Sequence, residues 1–245
     1  PNNAVMAVAG DFDTKSMLAR VRELFEPIPA GREPARLARQ ETEQSGEVRL
    51  SVEGPGATSY VQVCYRFPAA SHPDFFPLSV LDSLLAGPSN LNMFSGGISN
   101  KTSRLYRALV DKEYAVGVYG GAQATVDPFL YSVIMTVHPK RKPEETLAAF
   151  DREIERIKQE KVTKAEIARA IKQARALFAY GSENITNQAF WMGYSEMFAD
   201  YNWFETYLDK LSAVTVRDVQ RVANEYFKTR SRVVGTYVPT GGGEA

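Results

Sequence analysis

Cysteine and histidine are almost missing from this 245-residue chain, which has one cysteine, Cys64, and two histidines, His72 and His138. A single cysteine excludes an internal disulfide. Cys64 falls in an apolar strand pattern, which predicts a buried, inert thiol rather than a nucleophile. A hydrolytic zinc site needs two or three ligands at close range, often two histidines on one helical face. His72 stands before a proline and His138 ends a strand pattern, far away in sequence. Both read as structural or solvated. A Ser-His-Asp triad would have to recruit one of them, and no G-x-S-x-G elbow is present. G-x-G-x-x-G and Walker patterns are absent too, so Gly10 and Asp11 read as turn residues rather than a nucleotide site. Excess charge of one sign is also lacking: 29 Lys+Arg face 29 Asp+Glu. That argues against nucleic-acid or acidic-lipid partners. No apolar run approaches the length of a membrane span. No signal peptide is visible. The chain opens Pro1-Asn2-Asn3 without a methionine and reads as a fragment or processed product. It is expected to be soluble, with bacterial periplasm and cytoplasm equally open.

What is present is ordinary globular material, 44% apolar and 24% charged, enough for one large domain or two small ones. Asn3 to Gly10 is apolar on both faces, as in a buried strand. Thr14 to Phe25 places Met17, Leu18, Val21, Leu24 and Phe25 at helical spacing. The stretch Pro27 to Gly46 holds three prolines and two glycines without periodicity, which is linker composition. Val48, Leu50 and Val52 then alternate with polar residues, as do Val61, Val63, Tyr65 and Phe67. These two strands are predicted to pair antiparallel across Gly54-Pro55-Gly56. His72-Pro73-Asp74 starts a helix, with Pro73 in its first turn, that runs through Leu85 and stops at Gly87-Pro88.

The central stretch runs from Ser95 to Gly121. A glycine loop (Ser95, Gly96, Gly97) leads into a short helical pattern and then a strand from Ala115 to Gly121. Glycine backbone freedom can leave amides exposed for a peptide, an anion or a neighbouring domain; a plain loop-helix-strand connection has the same spacing. Arg104 and Arg107 read either as surface charge or as groups that orient a peptide or partner carboxylate. Phe129 to His138 is the next strand, predicted to pair with the strand ending at Gly121. Helices follow at Pro143–Gln159, at Thr163–Tyr180 with Thr163 and Glu166 as a capping box, at Asn187–Phe198, at Trp203–Val214 and at Thr215–Phe227. Ser231 to Val238 is the last strand. The charges of Glu144–Glu160 read as a solvated, pair-stabilised face, and Trp191 and Trp203 as core or interface rather than a ligand box. The order predicts an α+β fold, with an antiparallel or mixed sheet and helices mainly on one face. A weak echo links TRSRVVGTYVPT near the end to PNNAVMAVAGDF at the start.

The segment Gly96-Gly97 with Ser103-Arg104-Leu105-Tyr106 and Leu109-Val110 resembles a segment in the second, non-zinc half of the pitrilysin/insulinase zinc peptidases, a family that includes mitochondrial processing peptidase. PNNAVMAVAGDFD is similar to the strand closing that family's zinc half, and TKAEIARAIKQ and LSAVTVRDVQRVANEYF to its second half. The resemblance covers nearly the whole chain. It implies a half-domain of the LuxS/processing-peptidase-like type at residues 47–240, preceded by the closing strand-helix of a zinc half (1–29) and a linker (30–46), with a disordered tail (241–245). In the zinc half, H-x-x-E-H lies on a helix; here Ser79, Asp82 and Ser83 stand at those positions. No metal or cofactor is therefore expected in this chain, with zinc in a first half or partner subunit, and this half alone is expected to be inactive. The family's assisting arginine and tyrosine would fall at Val110 and Gly117; Arg107 and Tyr114 match the spacing after a three-residue shift. Ser95, Gly96, Gly97, Arg104, Arg107 and Tyr114 are thus the candidate contacts to substrate or partner half. The implied partners are a zinc-bearing half or homologous subunit and an unfolded peptide, with a dimer expected in the full protein. A non-enzymatic assembly subunit and a stand-alone binding module are the other readings.

Overall fold

A computed structural model describes residues 2–35, 42–87 and 101–241. The glycine loop at Ser95, Gly96 and Gly97 therefore lies outside the described residues, as do residues 242–245 of the tail. Eight helices and five strands are described: α1 (Thr14–Phe25), β1 (Val48–Gly54), β2 (Tyr60–Phe67), α2 (Phe75–Leu85), β3 (Ala115–Gly121), β4 (Phe129–Val137), α3 (Pro143–Gln159), α4 (Lys164–Gly181), α5 (Ile185–Phe198), α6 (Tyr201–Glu205), α7 (Tyr207–Ser212), α8 (Val216–Tyr226) and β5 (Arg232–Pro239). One π-helical turn (Tyr106–Val110) leads into β3.

The strands form one mixed sheet in the order β1-β5-β2-β4-β3. Alternation along β2 and β4 sends Val61, Val63, Tyr65, Tyr131, Val133 and Met135 into the core, each at 1% exposure or less. The helices cover that face. α2 is apolar nearly all round and is buried along almost its whole length, as a helix with no solvent side must be. α8 contributes Val219, Val222 and Ala223 to the same core, and α3 contributes Phe150 and Ile154. The other sheet face is open, with Leu50, Tyr60, Tyr119, Leu130 and Ile134 exposed. Cys64 is half-buried rather than buried, with Sγ 3.3 Å from Ser132 Oγ. At Gly120 an added Cβ would sit 2.6 Å from the Ala86 Cβ. Only glycine lets β3 approach the end of α2 this closely.

Four sequence expectations are corrected by tertiary structure. β1 and β2 run in opposite directions as expected, but they are not neighbours: β5 lies between them, parallel to β1 and antiparallel to β2. Two sheet spacings are about 10 Å, which the chain from Gly54 to Tyr60 easily spans. Residues 3–10 form no strand, and Val5, Met6 and Val8 are 53%, 52% and 43% exposed. A strand needs a ladder partner, and none of the described residues provides one. The helix expected over Trp203–Val214 is two helices broken at Thr206, whose hydroxyl donates to the Asn202 carbonyl at 2.6 Å. Pro73 also lies outside its helix, which is capped at Asp74. The Thr163–Glu166 capping box forms, as does one between Thr215 and Asp218. Trp191 and Trp203 are buried, and the Trp203 indole donates to the Ala70 carbonyl. Among the described residues no helix is long and apolar enough to cross a membrane.

Candidate functional site

Apart from His72 and His138, the singled-out residues that are described lie on α2 and on the segment leading to β3. On α2, the Ser79 hydroxyl donates to the Phe75 carbonyl at 2.9 Å and the Ser83 hydroxyl to the Ser79 carbonyl at 3.1 Å. Both hydroxyls are thus bonded to the helix backbone one turn earlier. Asp82 is 1% exposed and points into the core. Burial first, and then the Asp82 charge, raise the ionisation of Tyr131 and Tyr207 far above the usual tyrosine range. Asp82 therefore sits among aromatic hydroxyls and not beside imidazoles.

Ser83 and Arg104 share a shallow cleft with Glu166, Arg169 and Gln173. Arg104 is no surface charge: its side chain is 12% exposed. It donates through Nε and Nη2 to Glu166 Oε1 at 3.2 and 2.9 Å, and its Nη1 lies 3.7 Å from Glu153. One guanidinium thus braces the π-helical segment against α3 and α4. Burial works against Glu166, but bonds from the Thr163 amide and hydroxyl and from Arg104 outweigh it, holding the carboxyl below its usual range. Glu153, 4% exposed, is pushed up by burial despite Arg156 and Arg104. Elsewhere along and just before α3, Arg141–Glu145 and Arg156–Glu160 are the expected solvated pairs, whereas Lys158, paired with Glu155, is only 13% exposed.

Arg107 is exposed, whereas the Tyr114 ring lies under two other guanidinium groups, Arg141 at 4.8 Å and Arg152 at 5.7 Å. The Tyr114 carbonyl accepts from the Thr146 hydroxyl and the His138 amide. The chain enters β3 through Glu113 at φ +56°, a left-handed conformation unusual for a residue with a Cβ. The structure thus brings Ser83 and Arg104 together and ties Tyr114 to α3. His138 Nδ1 accepts from the Lys140 amide and His72 Nδ1 from the Asp74 amide. Among the described residues no cluster of three or more His, Cys, Asp or Glu is placed to hold a metal.

Sequence reading missed two buried charge centres. Asp74 accepts from Arg221 at 2.5 Å and from the Tyr226 hydroxyl at 2.9 Å. The Arg221 bond, helped by Tyr226 and opposed by burial, holds Asp74 below the usual carboxylate range. Arg232, 2% exposed, joins Glu47, Asp151 and Tyr65. Neither has a local signature, because their partners lie 81 to 185 residues away.

Residues 1–174 match the family described as "Peptidase M16 inactive domain". The chain is 26% identical over 253 residues to "Zinc protease PqqE" of Helicobacter pylori, covering 96% of this chain and 51% of that protein. A solved protease structure from Helicobacter pylori superposes with a TM-score of 0.82 at 23% identity, over 94% of this chain and 54% of that one. The structure described as the inactive peptidase domain of a putative zinc protease from Bordetella parapertussis superposes with a TM-score of 0.65 at 23% identity, over 79% of this chain and 97% of that one. The chain spans about half the length of the curated relatives it matches.

Proposed function

Because the chain belongs to the peptidase M16 inactive-domain family, the zinc-free half of the pitrilysin-type peptidases, we propose that it forms the wall facing the zinc-bearing half of a two-part metallopeptidase. The observation that carries this reading is α2. At the three positions where the zinc half has H-x-x-E-H, this chain has two serines bonded to their own helix and one aspartate in the core. Serines are poor zinc ligands, and Asp82 alone cannot hold the ion. Zinc and its general-base glutamate then reside in the other half, where the metal activates water. This chain supplies shape, a sheet edge on which an extended peptide can pair by backbone bonds, and the segment from Arg104 to Tyr114. Of the candidate contacts, Arg107 is free to face a ligand, Arg104 acts by bracing the segment, and Tyr114 shapes the corner beside α3. Ser95, Gly96 and Gly97 stay candidates for peptide contact.

Residues 1–29 are assigned to the preceding half, 30–46 to the linker, 47–240 to this domain and 241–245 to a tail. Support comes from apolar side chains left uncovered before the linker: Val5, Met6, Val8, Leu18, Leu24, Phe25 and Ile28 are all 43% or more exposed. Such a surface is what one half presents when its packing partners are elsewhere. The test measures zinc content and hydrolysis of an unstructured peptide by this chain alone and by the full-length protein. Zinc and activity are expected only in the second. Activity of the isolated chain would overturn the assignment. Full-length protein without zinc would identify a non-enzymatic assembly subunit instead.

A further inference from the structure

The sheet ends in two unlike edges. At one end, the register of β3 with β4 shifts between Ala115 and Gly117, and Gly117, Gly120 and Gly121 leave little side chain along the strand. A bulge and glycines of this kind blunt an edge against further pairing. At the other end β1 is in register with β5 over all seven residues, Val48–Gly54, and pairs with no other strand among the described residues. Val48, Leu50 and Val52 are 43%, 57% and 59% exposed on one face of β1, and Arg49, Ser51 and Glu53 are exposed on the other. A regular edge strand with this much apolar surface is a template for another strand.

Residue order in β1 decides which strand fits. When two β1 strands pair antiparallel about a two-fold axis, facing residues must share a sheet face, so one residue faces its own copy. With Leu50 at the axis, Glu47 would oppose Glu53 of the second copy. With Val52 at the axis, Arg49 would oppose Pro55, beyond the strand. With Ser51 at the axis, Arg49 opposes Glu53 and Leu50 opposes Val52, each twice. Glu53 has no ion partner among the described residues of its own chain, and the side chain of Arg49, which meets Glu47, is 62% exposed. Opposite charges directly across a ladder are favourable and like charges unfavourable, so this pair selects the register as well as the partner.

We propose that the outer edge of β1 is a homodimer surface, where a second copy of this chain adds its own β1 antiparallel, with Ser51 facing Ser51, to make one continuous sheet. This pairing is independent of the peptidase reading, because zinc does not enter it.

The test uses full-length protein. Wild type is expected to sediment at twice the mass of one chain. In a background without other cysteines, including Cys64→Ser, the variant Ser51→Cys sets two thiols opposite each other, with Cα atoms about 4.5–5.5 Å apart and within disulfide reach. Glu53→Cys sets them about 13 Å apart along the strand. Under mild oxidation Ser51→Cys is expected to form the intermolecular disulfide at least about tenfold faster than Glu53→Cys. Glu53→Arg opposes Arg49 with a like charge and is expected to weaken the dimer about tenfold. The exchanged pair Arg49→Glu/Glu53→Arg is expected to regain wild-type tightness. Monomeric wild type, which would leave the edge to an extended peptide, would overturn the proposal. So would equal cross-linking rates, a Glu53→Arg dimer as tight as wild type, or a folded exchanged pair that stays monomeric.

Discussion

Helices α1 and α8 carry the same local instructions. Each has an apolar stripe, and each starts at a side-chain cap: Asp13 accepting from Ser16 in α1, Thr215 and Asp218 in α8. Val219, Val222 and Ala223 of α8 are nevertheless fully buried, while no residue of α1 is. The difference lies in what surrounds them. α8 has α2, α3 and β2 to pack against, whereas Leu18, Leu24 and Phe25 of α1 remain open. A cap and a stripe specify a helix, but most helical stability comes from the face another element covers.

The sharpest way to break this comparison is one charge on each helix. Val222→Asp puts an unpaired carboxylate in the core, a change in the class above about 4 kcal/mol, and is expected to abolish the cooperative thermal transition seen by circular dichroism. Arg232→Ala leaves the partly exposed Asp151 and Glu47 without their cation, and a loss of about 1.5–3 kcal/mol is expected in denaturant titration. Thr215→Ala removes a cap from the covered helix, for about 1 kcal/mol. The matching Asp13→Ala is expected to leave the main transition in place and lower only the helical signal. Arg221→Ala tests a linked carboxylate. Because Asp74 is held below its usual range, its contribution is complete above the unfolded value near pH ~4 and is lost as pH falls through the folded value. The variant should therefore lose under about 1 kcal/mol at neutral pH, with the gap to wild type closing under acid. Leu18→Asp should change the stability of this chain by no more than about 0.5 kcal/mol. The same substitution in full-length protein should cost more if the preceding half covers α1, and an equal, negligible effect in both would refute that assignment.

β2 and β4 were legible because their one-sided alternation reports a half-covered surface directly; β1 shows the same alternation, yet Val48, Leu50 and Val52 all stay exposed. Capping boxes were legible because both partners lie within one turn. Adjacency was not: β1 and β2 carry the signals of a hairpin, and nothing local announces that β5, almost two hundred residues later, inserts between them. Arg104 stands in a stretch whose wording suggests a contact surface, yet its partners Glu153 and Glu166 come from two later helices. The serines of α2 show the opposite case. Their residue type was legible at once, and the structure adds where their hydroxyls go.

Residue type and spacing by themselves settled most of the helices and strands and the α+β class, and the wording of particular segments pointed to the family, because side-chain chemistry and periodicity act over a few residues; the strand expected over residues 3–10 is where that local reading failed. Only the assembled structure decided strand order, which charges are interior and which apolar faces are left uncovered. Those depend on loop closures and burial between residues far apart in the chain, where no local pattern carries the information.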